Sequence, residues 1–163
     1  MSEANYLATA SKPGAVGEIG ETVQWVTDRS YWQSFDEQRT YDRDSCRTAS
    51  LVNRGDQPAW LRWTVTGAHD GVRLGVGDDT VTLPAQKALD AGYVVDTDPL
   101  WPSITDTTGV NLQPDMPDAF WHQPLPPRGQ QRGNSVPLTI QPTNPGETFR
   151  VEVSYTPRTE QAW

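Results

Sequence analysis

Alternation of apolar and polar side chains near the end of the chain is the feature that most constrains the fold. Over residues 147–155, Phe149, Val151, Val153 and Tyr155 occupy every second position, and the positions between them are polar. Successive side chains of a β-strand point to opposite faces, so this spacing separates one dry face from one wet face. The pattern predicts a half-buried strand of an antiparallel sheet.

The same alternation recurs in a second segment near the middle of the chain. Ala59, Leu61, Trp63 and Val65 share one face, which we expect to point into the core. The opposite face is polar except for Trp60, which we interpret either as a contact with a partner or as a residue covered by a loop.

Further short segments show strand character and are separated by turn signals rich in Gly, Pro, Asn and Asp. Gly and Pro together occupy 27 positions spread along the whole chain, because 13 are Gly and 14 are Pro. Many short strands joined by tight turns favour an all-β sandwich or barrel. One short helical turn is predicted at Ala85–Ala91. The remaining predicted strands are Thr22–Thr27, Arg47–Asn53, Val72–Val76, Thr80–Leu83, Tyr93–Thr97 and Val136–Gln141.

The chain divides into two parts of unequal length. Residues 1–45 are predicted to form an extended N-terminal arm with one or two strands, and residues 46–163 an antiparallel β-sandwich. A Pro-rich stretch without periodicity covers residues 113–135 and is typical of a functional or disordered loop.

The arm carries an unusual number of aromatic side chains for an exposed segment. Aromatic residues are preferred anchors of protein interfaces. We therefore predict a subunit interface there, and we expect the terminal Trp163 to dock in this chain or a neighbour. The predicted interface residues are Trp25, Tyr31, Trp32, Phe35, Tyr41 and Trp163.

The charge and the cysteine content exclude several classes of protein. The formal net charge is −8, which disfavours binding to nucleic acid because such a surface repels phosphates. The single cysteine, Cys46, cannot form an intrachain disulfide and is predicted to be a small buried side chain. No apolar run approaches the roughly 18 residues of a membrane span, and the first residues do not resemble a signal peptide. We therefore expect no membrane insertion.

No set of residues with catalytic or metal-binding spacing is present in the sequence. His69 and His122 lie 53 positions apart, without Cys or carboxylate ligands at suitable spacing, and we interpret both as solvated loop residues. Asp96 and Asp98 are the best carboxylate pair. Residues at i and i+2 of a strand lie side by side, so turn hydrogen bonding is favoured over calcium ligation or glycosidase chemistry. We predict a protein that is not an enzyme and has no cofactor.

Three other residues or motifs have a structural and a functional interpretation. Arg54-Gly55-Asp56 matches an integrin-binding tripeptide, but a turn is favoured, with Gly55 at a positive φ and Asp56 capping. Trp101 and Trp121 lie in Pro-flanked segments that we expect to be exposed. Each is a candidate for stacking on a sugar ring, for a subunit interface, or for local core packing.

The order of these turns and strand ends over residues 45–163 resembles the C-terminal domain of siphophage distal tail proteins, and more closely actinobacteriophage minor tail proteins. The matching segments are Asn53–Trp60, Val81–Leu83, Gly92–Pro99, Asp106–Asn111, Pro145–Gly146, Tyr155–Arg158 and Ala162–Trp163.

This resemblance implies a galectin-like antiparallel β-sandwich, similar to a jelly roll, with a structural role in the virion. The implied location is the tail tip or baseplate, and the implied partners are the distal tail, hub, tape-measure and tail-tube proteins, with assembly into a homo-oligomeric ring. The first 45 residues are too few for the belt domain of distal tail proteins, which argues for an accessory subunit. The alternative is a carbohydrate-binding module that contacts a host envelope glycan through Trp101 or Trp121.

Overall fold

The structure, a computed structural model, describes residues 31–87, 92–130 and 135–160. These residues belong to a compact unit that begins at Tyr31. Eleven strands lie in this part of the chain, and all their pairings are antiparallel. Short 3-10 helices cover Ser45–Thr48, Gln113–Asp115 and Arg128–Gln130. The strands are β1 (Trp32–Gln33), β2 (Glu37–Asp42), β3 (Ser50–Leu51), β4 (Arg62–Thr66), β5 (Val72–Val76), β6 (Asp79–Leu83), β7 (Gly92–Asp96), β8 (Ser103–Asp106), β9 (Val136–Pro142), β10 (Arg150–Tyr155) and β11 (Arg158–Thr159).

Two antiparallel sheets pack as a sandwich. One has five strands in the order β2-β10-β4-β7-β8, and the other has four in the order β3-β9-β5-β6. A two-stranded ribbon pairs β1, which precedes β2 in the chain, with β11, which follows β10. The all-β antiparallel sandwich predicted from the alternation is confirmed.

The core lies between the inner faces of the two sheets and follows the predicted period of two. All four residues expected to point inward from residues 59–65 are buried, and so are the four of the last long strand. Their neighbours on β4 and β10 are half-buried or exposed. The core residues without solvent exposure include Trp63, Val65, Val72, Leu74, Leu83, Val95, Leu125, Val151 and Val153.

Several predicted boundaries differ from the structure. The segment 47–53 forms only the short strand β3, because a 3-10 helix occupies Ser45–Thr48 before it. Strand β8 was not predicted, because its sequence Ser-Ile-Thr-Asp offers one apolar residue and no measurable alternation. In the predicted helical turn, Gln86 forms a β-bridge with His69, and residues 88–91 lie outside the described residues.

Strand β2 belongs to the sandwich, although the sequence placed it in the arm. All six of its residues pair with β10, at the edge of the five-stranded sheet. Tyr41 of this strand is buried in the core, and its hydroxyl donates a hydrogen bond of 2.5 Å to the carbonyl of Ser50. The sandwich therefore begins before the predicted boundary at residue 46, because pairing with β10 holds this segment in register.

The helices of the described residues are all 3-10 helices of three or four residues. None is long and apolar enough to cross a membrane.

Candidate functional site

The exposed apolar side chains concentrate at one end of the five-stranded sheet. The strand register places Arg62 beside Asp96, Ser103 beside Asp96, and Tyr155 beside Glu37, so these residues mark the same end. We call it the aromatic end and define it by five exposed residues that adjoin these strand ends. Those residues are Tyr31, Trp32, Phe35, Leu100 and Trp101.

The first three of these residues precede β2 and are held by the C-terminal ribbon. Trp32 pairs with Thr159, and the amide of Ser34 donates to the carbonyl of Pro157 over 3.1 Å. The hydroxyl of Thr156 donates to Asp36 over 2.5 Å at the start of the sheet. The backbone is therefore fixed while Trp32 stays 60% and Phe35 93% exposed.

The other two residues lie in the connection between β7 and β8. Asp96 accepts the amide of Asp98 over 3.0 Å, and Asp98 accepts the amide of Leu100 over 3.1 Å. The amide of Trp101 donates to the carbonyl of Asp98, which closes the turn. Two successive Asx-type turns therefore present Leu100 and Trp101 to solvent, with Trp101 79% exposed.

These hydrogen bonds favour the structural interpretation of the carboxylate pair. Asp96 and Asp98 use side-chain oxygens to shape the turn, and Asp98 lies 4.0 Å from the guanidinium of Arg158. Both line a small polar cleft of about 190 Å³ together with Trp60 and Arg158. Trp60 is half-buried in the wall of this cleft, and both interpretations of its place on a polar face stay predictions.

The two tryptophans that were candidates for sugar stacking lie in different environments. Trp101 is exposed at the aromatic end, as expected. Trp121 is buried, and its indole N–H donates to the carbonyl of Leu74 over 3.0 Å. The expectation that Trp121 is exposed was wrong, because its hydrogen bond to Leu74 holds the indole against β5, where the ring joins the core.

The residues of the predicted interface differ in their exposure in the structure. Tyr41 is a core residue, as described above, and burial raises the pKa of its hydroxyl. Trp25 and Trp163 lie outside the described residues. Tyr31, Trp32 and Phe35 remain exposed candidates. Leu100 and Trp101 join them only in the folded structure, because the pairing of β7 with β4, and of β4 with β10, sets their position.

Cys46 is buried, as predicted, and does not behave as an exposed reactive thiol. Burial raises its pKa to about 11, and the nearby Asp42 acts in the same direction. A thiol with such a pKa is protonated at neutral pH and is a poor nucleophile.

The two histidines differ, and one was wrongly predicted to be solvated. His122 is exposed, with its Nδ1 3.5 Å from an oxygen of Asp79. His69 is buried, and its ring meets Phe149 edge to face at a centroid distance of 5.6 Å. Its Nδ1 accepts the amide of Gly71 over 3.1 Å, so this nitrogen carries no proton. The backbone of His69 forms a β-bridge with Gln86, and no local sequence signal indicates that contact.

Acidification should lower the stability of the fold through His69. Burial lowers the pKa of its imidazole, and Lys87 nearby adds to this effect. The unfolded chain then binds a proton more readily than the folded one, so stability is complete above the ordinary value of about 6.5 and falls as pH drops through the folded pKa. Urea unfolding between pH 7.5 and 5 should show this loss in the native chain and a smaller one in His69→Gln.

The control for this prediction is His122→Gln. This change removes an exposed imidazole and keeps the buried His69, so the loss of stability on acidification should persist. An unchanged slope in His69→Gln would show that other groups cause the effect.

Among the described residues, no group of three or more His, Cys, Asp or Glu side chains is placed to hold a metal ion. Comparisons with protein-family models, with curated proteins and with solved structures found no match to this chain.

Proposed function

We propose that this chain is a non-catalytic structural subunit of the tail tip of a long-tailed bacteriophage and that its aromatic end binds a neighbouring subunit. The observation that carries the proposal is the grouping of Tyr31, Trp32, Phe35, Leu100 and Trp101 at one end of the sandwich. Aromatic and aliphatic side chains that are exposed at one end of a domain are typical of interaction sites.

The surroundings of the aromatic end suit a protein interface. Arg54 forms an ion pair with Glu37 over 3.2 Å at the start of β2, and Arg158 lies near Asp98. Charged groups thus lie between the two exposed apolar segments. Aromatic residues and Arg are the side chains that are enriched in specific interfaces.

The fixed backbone at this end also favours a binding role for the exposed side chains. The ribbon β1-β11 and the Asx turns of the 96–101 connection fix the backbone that carries these side chains before any partner arrives. A preorganised surface loses less conformational entropy on association.

The assignment to a phage tail rests on the resemblance of the sequence. Two of its motifs pack against each other at the aromatic end, which gives them a shared physical role. The amide of Gln57 donates to the carbonyl of Arg158 over 3.2 Å, and the amide of Glu160 donates to Asp56 over 3.1 Å. The turn at 53–57 and the closure at 155–158 therefore form one structural unit, in which each motif depends on the other.

Immunogold electron microscopy of virions tests the location. A phage that encodes the chain should show label at the tail tip when antibodies against the chain are used. Purified virions that carry no label, with the protein present in the lysate, would contradict the proposal.

Replacing three residues of the aromatic end should remove the subunit from the particle. Trp32→Ser, Phe35→Ser and Trp101→Ser together should lower its incorporation by at least about tenfold, because interface aromatics each contribute about 2 kcal/mol or more. All three side chains are exposed, so the isolated chain should stay folded. Quantitative immunoblotting of purified virions measures the loss.

Val110→Ser is the matched control. Val110 is exposed like the others, but it follows β8 at the opposite end of the sheet. Incorporation should remain at the native level. Equal loss in both variants, or native incorporation of the triple variant, would show that the aromatic end is not the interface.

A further inference from the structure

Strand β6 forms one edge of the four-stranded sheet, and within the described residues its outer side is unpaired. The strand order is β3-β9-β5-β6, so β5 is its strand partner on the inner side. The register closes the β5-β6 hairpin with Val76 opposite Asp79, and two turn residues lie between them. In a turn of this length the residue before the turn accepts the amide of the residue after it, so the backbone of Asp79 points towards β5.

The directions of the following backbone groups on β6 are set by that closing pair. They alternate along a strand, so the N–H and C=O of Thr80 and Thr82 point away from β5, and those of Val81 point towards it. Among the described residues, no strand, β-bridge or backbone hydrogen bond meets Thr80 or Thr82 on the outer side. Thr82 is exposed and Thr80 is half-buried, so solvent reaches both. An unpaired edge of this kind is a template for an added strand.

A groove of about 530 Å³ lies beside this edge. One wall is β6 over residues 79–82, and the other is the loop over residues 115–120. The chain after this loop is held at the start of β6, where the carboxylate of Asp79 accepts the amides of His122 and Gln123 over 2.6 and 2.8 Å. Four of the six loop residues in the groove are exposed, so the groove opens to solvent.

Carboxylates dominate the charge of this groove. Asp79, Asp115 and Asp118 line it, and Lys and Arg are absent from its described lining. His122 also lines it and lies 3.5 Å from Asp79. The side chains of Asp115 and Asp118 form no hydrogen bond or ion pair with the described residues, and both are exposed. These two carboxylates are therefore available to a cationic partner.

We propose that this groove binds an extended, Lys- or Arg-bearing segment of a partner protein, which adds to the sheet as a strand beside β6. The backbone of Thr80 and Thr82 supplies the pairing. The carboxylates of Asp115 and Asp118 bind basic side chains of the added strand. The hydroxyl of Thr80 already accepts the Nε–H of Arg73 over 2.6 Å, so Thr80 acts through its backbone. A second copy of β6 is a poorer occupant, because it brings the same carboxylates together.

The groove and the aromatic end are separate sites that share no residue. Binding at the groove does not depend on the proposed role in a phage tail, and the triple variant of the aromatic end should leave it intact. Failure of either proposal therefore leaves the other standing.

Nuclear magnetic resonance with a synthetic probe tests the proposal. The probe is the blocked hexapeptide Lys-Val-Lys-Thr-Lys-Val at about 1 mM, a range suited to weak binding. Its addition to the full ¹⁵N-labelled chain should shift the amide signals of residues 79–83 and 115–120. Hydrogen exchange should slow at Thr80 and Thr82, whose amides pair with the probe, and change little at Val81, whose amide faces β5. The Glu counterpart, Glu-Val-Glu-Thr-Glu-Val, should bind more weakly by about tenfold or more.

Two double variants of equal charge change separate the groove from general electrostatics. Asp115→Lys with Asp118→Lys should weaken binding of the Lys probe by about tenfold or more, because like charges then meet in the groove. The control is Asp44→Lys with Glu147→Lys. All four acids are exposed, and the two control residues lie outside the groove, before β3 and before β10. The control should leave the affinity within about twofold, apart from long-range effects removed by salt.

Any one of several results would overturn the proposal. These are the absence of saturable shifts at residues 79–83, equal binding of the Lys and Glu probes, and equal loss of binding in the two double variants. Equal binding of a probe N-methylated on every amide would do the same, since such a probe cannot pair with a strand. So would slow exchange at Thr80 and Thr82 without peptide, because the edge would then already be paired with another segment or a second copy of this chain.

Discussion

Replacing Trp63 with alanine should lower the free energy of unfolding by about 3–5 kcal/mol, as expected for a large aromatic side chain removed from a packed core. Trp63 has no solvent exposure and lies between Val95 of β7 and Val153 of β10 in the middle of the five-stranded sheet. Its loss leaves a cavity that the paired strands on both sides cannot close by moving. Urea unfolding followed by circular dichroism measures the change.

Trp63→Phe should be much less harmful, with a loss below about 1.5 kcal/mol. The indole Nε1 of Trp63 is buried without a hydrogen-bond partner among the described residues, so phenylalanine removes an unsatisfied donor together with part of the packing. This variant also gives a measurable value if Trp63→Ala fails to fold.

Thr64→Ala provides the surface control on the same strand. Thr64 points to the outer face, and its replacement should change stability by no more than about 0.5 kcal/mol. A similar loss in Trp63→Ala and Thr64→Ala would contradict the arrangement of the core.

The sequence predicted those parts of the fold that depend on local periodicity. Val72–Val76 was predicted with its observed bounds, and the inward face of β10 was predicted residue by residue. Period-two alternation is a property of the strand itself, so a short stretch of sequence is enough to reveal it. The confirmed sandwich follows from several such strands separated by turns.

Long-range pairing decides the features that the sequence did not predict. Trp121 and His69 were expected at the surface because their neighbours are polar or proline. Each is packed against a residue far away in the chain, Leu74 in the case of Trp121 and Phe149 in the case of His69. The five-residue aromatic end likewise combines two segments about 65 positions apart, and only the sheet register brings them together.

The turn at Gly55 was predicted, but the reason for a glycine at this position differs from the expected positive φ. Gly55 does not belong to the glycines with a positive φ. It is required by close approach instead, since a Cβ at this position would lie 2.4 Å from the carbonyl oxygen of Arg158. Asp56 also acts across the chain, because it accepts the amide of Glu160 rather than capping its own turn.

Asn53, at the start of this turn, is the second residue whose replacement should strongly destabilise the protein. It has no solvent exposure, and its amide group donates to the carbonyl of Gln57 over 2.9 Å and to that of Leu125 over 3.3 Å. Its Oδ1 accepts the amide of Gly55 over 2.9 Å. Asn53→Ala leaves these three backbone groups without their partner and should lower the free energy of unfolding by about 2–3 kcal/mol.

Asn53→Asp should be more harmful at neutral pH, with a loss of about 3–5 kcal/mol, because it buries a carboxylate against two carbonyl oxygens. Burial without a cation raises the pKa of the introduced carboxyl in the folded state, so its penalty is absent below the unfolded value near 3.9 and grows as pH rises through the folded value. The difference in stability between this variant and the native chain should therefore narrow on acidification.

Asn111→Asp makes the same chemical change in an exposed turn, where Asn111 accepts the amide of Gln113. It should change stability by no more than about 0.5 kcal/mol at any pH at which the chain is folded. If Asn53→Asp were equally mild, Asn53 would not join the 53–57 turn to the loop at Leu125. The packing of that turn against Arg158, which positions the β1-β11 ribbon, would then need another cause.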